Sequence, residues 1–413
     1  MRSRFVLLWS MTVIACVACG AILGIEPGNP EPLTIADATS EEDASLPPDP
    51  CEHARPAPIP EVDDAPALEL PPFVVALEGL DVTLPKEGSL GIDLDKSCTC
   101  DKRPFAAFDG GSSCLKKKTP CDLDGGVDNS LAQIATQMSS FGFDLSRGPS
   151  DLVKKGKRTL LLQIAQYNGK ANDREVAVGI LVSRGIKAQG CPSSEQNGDY
   201  WRPGWCGDDV WTIEEKSVVR AGNPFIPAVI GRGYVRDYEL VITISTGTVT
   251  LPFSGNFELP LDSASLLGKI VPLGEDLQPR DPNREPTEKE KRLYRIERGL
   301  IVGRMTSTNL LTAVGTLTSK EDPDTGVKEQ VCAAQFWPTI VQTVCDAVDM
   351  AKDEALDFEP TAECVSLSTG TGFTAMPALP GAIGTDPVET GPCHPGVTGE
   401  PGGIDASYVC PTD

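Results

Sequence analysis

The spacing of hydrophobic and polar positions changes several times along this chain. "FVVALEGLDVTL", starting at Phe73, is an apolar run that predicts a strand. Leu131, Ile134, Ala135 and Met138 then fall at helical spacing, so residues 129–140 predict a helix with Gly142 as its stop. Beyond it the period becomes two. Val176, Val178, Ile180 and Val182 alternate within residues 158–186, predicting two strands around an Asn168-Gly169 turn. Residues 226–245 repeat the pattern with a turn at Arg236-Asp237, and "TGTVTLPF", "NFELPL" and "LLGKIVPL" read as further short strands.

Thr287 and Glu290 fit a capping box, and "YRIERGLIVGRM" (294–305) reads as strand, turn, strand. Residues 306–317 and 327–353 look helical, with Pro338 kinking or restarting the second. Residues 364–376 read as a closing strand. Short strands at regular spacing with little helix between them predict a mainly β fold, a β-sandwich or jelly roll with a few helices, over residues 73–376.

The ends differ in composition. Residues 5–18 form a short apolar run behind Arg2 and Arg4, the pattern of a secretory signal and too short to span a bilayer. Residues 20–72 are acidic and proline-rich and predict a disordered tether; between Gly20 and Leu70 there are twelve acidic residues and one arginine. Residues 377–413 are a Pro/Gly-rich tail. The net charge of -23 makes nucleic acid a poor partner, because phosphates would be repelled.

The 14 cysteines sharpen the picture. "VIAC" would place a lipidated residue at Cys16, "CVAC" at Cys19. Cleavage before Cys19 leaves an even set, Cys51, Cys98, Cys100, Cys114, Cys121, Cys191, Cys206, Cys332, Cys345, Cys364, Cys393 and Cys410. That parity suits a disulfide framework in an oxidising compartment and favours Cys19. Spacing does not dictate the pairing, although Cys191 and Cys206 bracket one loop and Cys393 and Cys410 sit together in the tail. Four cysteines crowd residues 98–121, but without the spacing of a zinc site, so disulfides are the better reading.

"GAILGIE" after Cys19, then "DLDKSCTC", "GGVDNSL", "GLIVGRM" and "CVSLSTGTGFTAMPALPG" occur in an order that resembles a family of uncharacterised secreted lipoproteins of myxobacteria. The resemblance runs over most of the chain. It implies an outer-membrane or envelope location, membrane attachment through an N-terminal lipid, and no established activity or site residues.

Chemistry is limited by histidine. His53 and His394 lie in the tether and the tail, so a histidine-based triad or metal site in the core is nearly excluded. "STGTGFTA" (368–375) has glycines but precedes no helix, and reads as a strand of small residues. Calcium is the candidate cofactor: Asp122, Asp124 and Asp128 flank Gly125-Gly126, and the echo "DLD" brings in Asp93 and Asp95. Pro120 and Gln133 occupy places where a full calcium loop has acids, and the favoured alternative is a turn followed by an N-cap from Asp128, Asn129 or Ser130. Trp201, Trp205 and Trp211 beside Asp208, Asp209, Glu214 and Glu215 are candidates for contact with a glycan or an envelope protein. A carboxylate-pair glycosidase is the enzymatic alternative to a non-enzymatic envelope protein.

Overall fold

The computed structural model describes residues 54–384 and Cys410, apart from residues 69, 83–89, 100–111, 117–119, 124, 141–144, 146, 221–225, 255–256, 316 and 318–330. Cys16, Cys19, Cys51, Cys100, Cys393, Asp124, Gly142 and both histidines therefore lie outside the described residues. The described part belongs to the unit Pro48–Asp413.

Eight strands form a closed antiparallel barrel. They are β1 (Phe73–Asp81), β2 (Leu160–Ala165), β3 (Asp173–Ile186), β4 (Val229–Arg236), β5 (Glu239–Thr243), β6 (Phe257–Pro272), β7 (Tyr294–Thr306) and β8 (Ser366–Gly384). Each pairs with the next in sequence, and β8 returns to β1, so Val75 faces Leu162 on one side and Pro377 on the other. The expectation of a sandwich or jelly roll is corrected. Alternation along a strand reports only which side is buried, and is the same in a sandwich and a barrel. Closure leaves none of these eight strands as a sheet edge.

Two further corrections have one cause. Residues 257–261 of "NFELPL" and 266–272 of "LLGKIVPL" are parts of the single strand β6, and "YRIERGLIVGRM" lies within the single strand β7. In place of the turn expected within 294–305 there is a bulge, where Arg298 takes φ +50° and the register to β8 shifts between Ile296 and Gly299. Such bulges bend long strands around a barrel without ending them. The β4–β5 turn falls one residue later than expected, at Asp237-Tyr238, both at positive φ as a two-residue hairpin requires. β8 extends past Met376, so the first residues of the expected tail belong to the barrel.

Phe73, Val75 and Leu77 of β1, with Leu160, Leu162 and Ile164 of β2, Val176, Val178 and Ile180 of β3, and Phe373 of β8, belong to the main core. The helices α1 (Ser130–Ser140), α3 (Ser307–Gly315) and α4 (Trp337–Asp346) add Leu131, Met138, Leu311, Val314 and Ile340 to it; α2 (Arg147–Lys154) packs on β1. Pro338 lies in the first turn of α4, where its missing N–H costs nothing. A smaller core lies on the outer face. The strand Val210–Glu214 bridges β3 and β8, and its Trp211 and Ile213 pack on Val74, Ala76, Leu161 and Leu181.

The capping box forms as read. Thr287 N–H donates to Glu290 Oε2 (2.9 Å) and Glu290 N–H to Thr287 Oγ1 (3.3 Å). Residues 54–72, grouped by composition with the tether, run along the barrel. Leu68 N–H donates to Asn168 O (2.8 Å), and Asp64 accepts from Asn172 N–H (2.9 Å). Cys114 pairs with Cys364, Cys191 with Cys206 as the loop suggested, and Cys345 with Cys410. Cys410 is thus joined to α4 rather than to Cys393. Cys98, Cys121 and Cys332 are also disulfide-bonded.

Candidate metal centre

The stretch 121–134 splits into a turn and a cap. Gly125 and Gly126 adopt φ +82° and +71°, a left-handed pair that L side chains resist, and Leu123 N–H closes the turn on Val127 O (2.9 Å). Asn129 is the N-cap, its Oδ1 accepting from Ala132 N–H (3.0 Å). Asn129 also exchanges hydrogen bonds with the backbone of Gly370 on β8 (3.0 and 3.1 Å), which locks the start of α1 to the barrel. Capping by Asn129 leaves Asp128 and Ser130 for other work.

Asp128 turns inward. Its carboxylate, with those of Asp93 and Asp95, supplies oxygens that all lie within 4.8 Å of one another, and all three residues are buried. Two oxygens held by one calcium ion at about 2.4 Å are at most about 4.8 Å apart, so the spacing suits a shared ion. The loop carrying Asp93 and Asp95 is shaped around the acids. Ser97 N–H donates to Asp93 Oδ1 (3.1 Å) and Asp95 Oδ1 (2.9 Å), Leu94 N–H to Asp128 Oδ2 (2.6 Å), and Ser113 Oγ to Asp95 Oδ2 (2.5 Å). Asp122 is at the margin, half-buried, accepting from Thr99 N–H (2.5 Å).

Of the five aspartates proposed from the sequence, three converge, Asp122 borders them, and Asp124 lies outside the described residues. Sequence reasoning missed Asp349. It sits in "AVDMA", a stretch read as helix, but α4 ends at Asp346 and Asp349 is buried beyond it. Its carboxylate accepts from Ser368 N–H (2.8 Å), Ser368 Oγ and Ser130 Oγ (2.5 Å). An acid inside an apolar run was the available signal. Nearby, buried Arg304 makes a two-pronged pair with Asp357 and also acts on Asp95.

Burial raises the pKa of Asp95, Asp122, Asp128 and Asp349. Burial and then repulsion from Asp95 and Asp349 push Asp122 up to about 8, against hydrogen bonding from Thr99. Burial takes Asp349 to about 6, against the serine hydrogen bonds. Burial, then Asp95, Asp122 and Asp349, hold Asp128 well above the usual range. Carboxylates packed this closely are stabilised in charged form by a dication. The donors are oxygens, suited to a hard cation, and Cys98, Cys114 and Cys121 are tied in disulfides and cannot act as zinc thiolates.

"STGTGFTA" is strand, as read, and its glycines have a local reason. A Cβ on Gly370 would lie 2.1 Å from Leu90 O, because the loop leading to Asp93 crosses β8 there.

The tryptophan cluster is structural where it is best defined. Trp211 is fully buried with its ring 6.2 Å from that of Trp205, and Trp201 and Trp205 are half-buried against the same outer core. The neighbouring acids are engaged too. Asp209 accepts from Gly204 N–H (3.1 Å) and Trp205 N–H (2.7 Å), Asp208 pairs with Arg292 (2.7 Å), and Glu214 pairs with Arg184 (2.5 Å); Glu215 is exposed. The loop packs down on the barrel, its rings covering apolar wall.

No family model, no curated protein and no solved structure matches this chain.

Proposed function

We propose that this chain is a lipid-anchored protein of the bacterial cell envelope, with a binding or structural role, whose barrel uses calcium as a structural cofactor. The observation that carries the calcium reading is the convergence of Asp93, Asp95 and Asp128 at oxygen spacings that fit one ion. The disulfides support an oxidising compartment outside the cytoplasm, where calcium is available. The apolar run 5–18 and the cysteine boxes support export and lipidation at Cys19, and the motif order supports kinship with the myxobacterial lipoproteins. A glycan or an envelope protein is the partner class this placement favours. Among the described residues no helix is long and apolar enough to cross a membrane.

Two measurements test this. Millimolar calcium should raise the melting temperature of chelator-treated protein; an unchanged melt refutes the cofactor. Metabolic labelling with a palmitate analogue should mark the wild type and not Cys19→Ser. Label that survives in Cys19→Ser and vanishes in Cys16→Ser moves the anchor to Cys16, and no label in the wild type refutes the anchor.

A further inference from the structure

The chain carries 59 acidic and 36 basic side chains, yet one part of its surface gathers lysines. Close backbone packing holds three segments together there. Ile186 N–H donates to Gly156 O (2.9 Å), a Cβ on Gly156 would lie 1.8 Å from Trp201 O, and a Cβ on Gly185 would lie 2.7 Å from the Tyr200 ring. This packing brings Lys157 and Lys187 onto Tyr200, with Nζ 5.8 Å and 3.9 Å from the ring centre. Both lysines are exposed, as is Lys154 at the end of α2, and none of the three forms a salt bridge among the described residues. Nearby acids are engaged by other cations: Asp151 pairs with Lys155 (3.5 Å) and Glu195 with Arg202 (3.3 Å), while Asp199, next to Tyr200, is exposed. Apolar surface adjoins the lysines. Ile186 pairs with Trp211 and both are buried in the outer core, so the next residues, Lys187 and Val210, face outward, and Val210 is 38% exposed.

We propose that this face is a second membrane contact, in which Lys157 and Lys187, with Tyr200 and Val210 between and beside them, bind the headgroup layer of an anionic phospholipid bilayer. It rests on the envelope reading above, which keeps a membrane within reach of the barrel. Ammonium groups on long stems reach lipid phosphates while their methylenes cover apolar surface, and a tyrosine ring with one wet end suits headgroup depth. The negative charge of the whole chain does not oppose this contact strongly, because at physiological salt exposed charges more than about 8 Å away are largely screened. A bilayer fits the face better than an acidic protein, since Val210 and the Tyr200 ring offer apolar contact beside the lysines. Docking there orients the barrel toward the bilayer, which an N-terminal lipid does not do.

The test uses a full-length parent carrying Cys16→Ser and Cys19→Ser, so that no lipid contributes, and vesicles of phosphatidylcholine with or without phosphatidylglycerol. Cosedimentation should show the parent on the anionic vesicles and little of it on the neutral ones. Lys157→Gln/Lys187→Gln should weaken that binding about tenfold to thirtyfold. Lys157→Arg/Lys187→Arg should bind like the parent, since the charge is kept, and so should Lys352→Gln, at an exposed lysine elsewhere. Equal melting temperatures show that the variants are folded. Equal binding by the parent and Lys157→Gln/Lys187→Gln overturns the lysine face, and absence of binding to anionic vesicles overturns the membrane contact. Retention on immobilised polyglutamate with none on vesicles assigns the face to an acidic protein and overturns the proposal. Palmitate labelling at Cys19 is read separately, so a failed contact leaves the lipid anchor standing.

Discussion

The carboxylates of Asp95 and Asp128 lie within 4.8 Å of each other, one on the loop that crosses β8 and the other one residue before the Asn129 cap of α1. The loop and the helix start are held in register by Leu94 N–H, which donates to Asp128 (2.6 Å), and by Asp128 N–H, which donates to Ile92 O (3.0 Å). Their meeting is a product of backbone pairing, and it places two acids where burial raises the pKa of both.

Calcium should therefore act as a folding ligand. At a hundredfold excess over its dissociation constant it would add about 2.7 kcal/mol of stability. In Asp128→Asn the calcium-dependent rise in melting temperature should be lost, whereas Glu215→Gln, at an exposed acid away from the cluster, should keep it. Differential scanning fluorimetry with calcium and with chelator checks this.

The metal-free protein should lose stability as pH rises. Burial holds the folded-state pKa of Asp349 at about 6 and of Asp122 at about 8, both above the ordinary 3.8. Such groups bind their protons more tightly when folded, so their stabilising contribution is full below about pH 4 and is lost as pH climbs through 6 and 8. Urea unfolding midpoints in chelator should fall between pH 5 and pH 8. Calcium should flatten or reverse that trend, because it favours the ionised acids.

The disulfides should differ in worth. Cys191–Cys206 spans 15 residues and Cys114–Cys364 spans 250. On chain-entropy grounds the first contributes about 3 kcal/mol and the second about 5 kcal/mol. Paired Cys→Ser variants compared by urea unfolding give the order, and Cys114/Cys364→Ser should also weaken calcium binding, since Ser113 beside it holds Asp95.

Gly370→Ala should destabilise by about 2–4 kcal/mol, since its Cβ would meet Leu90 O at 2.1 Å and backbone would have to move. Because that backbone leads into Asp93, calcium affinity should fall along with the melting temperature. A variant that melts lower but binds calcium normally would show that the crossing does not position the acids.

Trp211→Ala should behave as a core truncation, costing about 3–5 kcal/mol in denaturant unfolding, given that its side chain is fully buried.

Local order was legible in the chain. The spacing of Leu131, Ile134 and Met138 marked α1, Asn168-Gly169 marked the β2–β3 hairpin, and Thr287 with Glu290 marked a capping box, because each depends on residues a few positions apart. The acid pairs "DLD" at 93–95 and 122–124 were visible as an echo of each other. What only the tertiary structure decided depends on distant backbone. Closure of β8 onto β1 makes a barrel of strands that a sandwich would have used equally well. The crossing of Leu90 over Gly370 carries Asp93 and Asp95 to Asp128, and the turn after α4 delivers Asp349 to Ser368. Hydrophobic period records which side of a strand is buried and is silent about which strand lies next to it, so the barrel and the gathering of its acids belong to the three-dimensional fold.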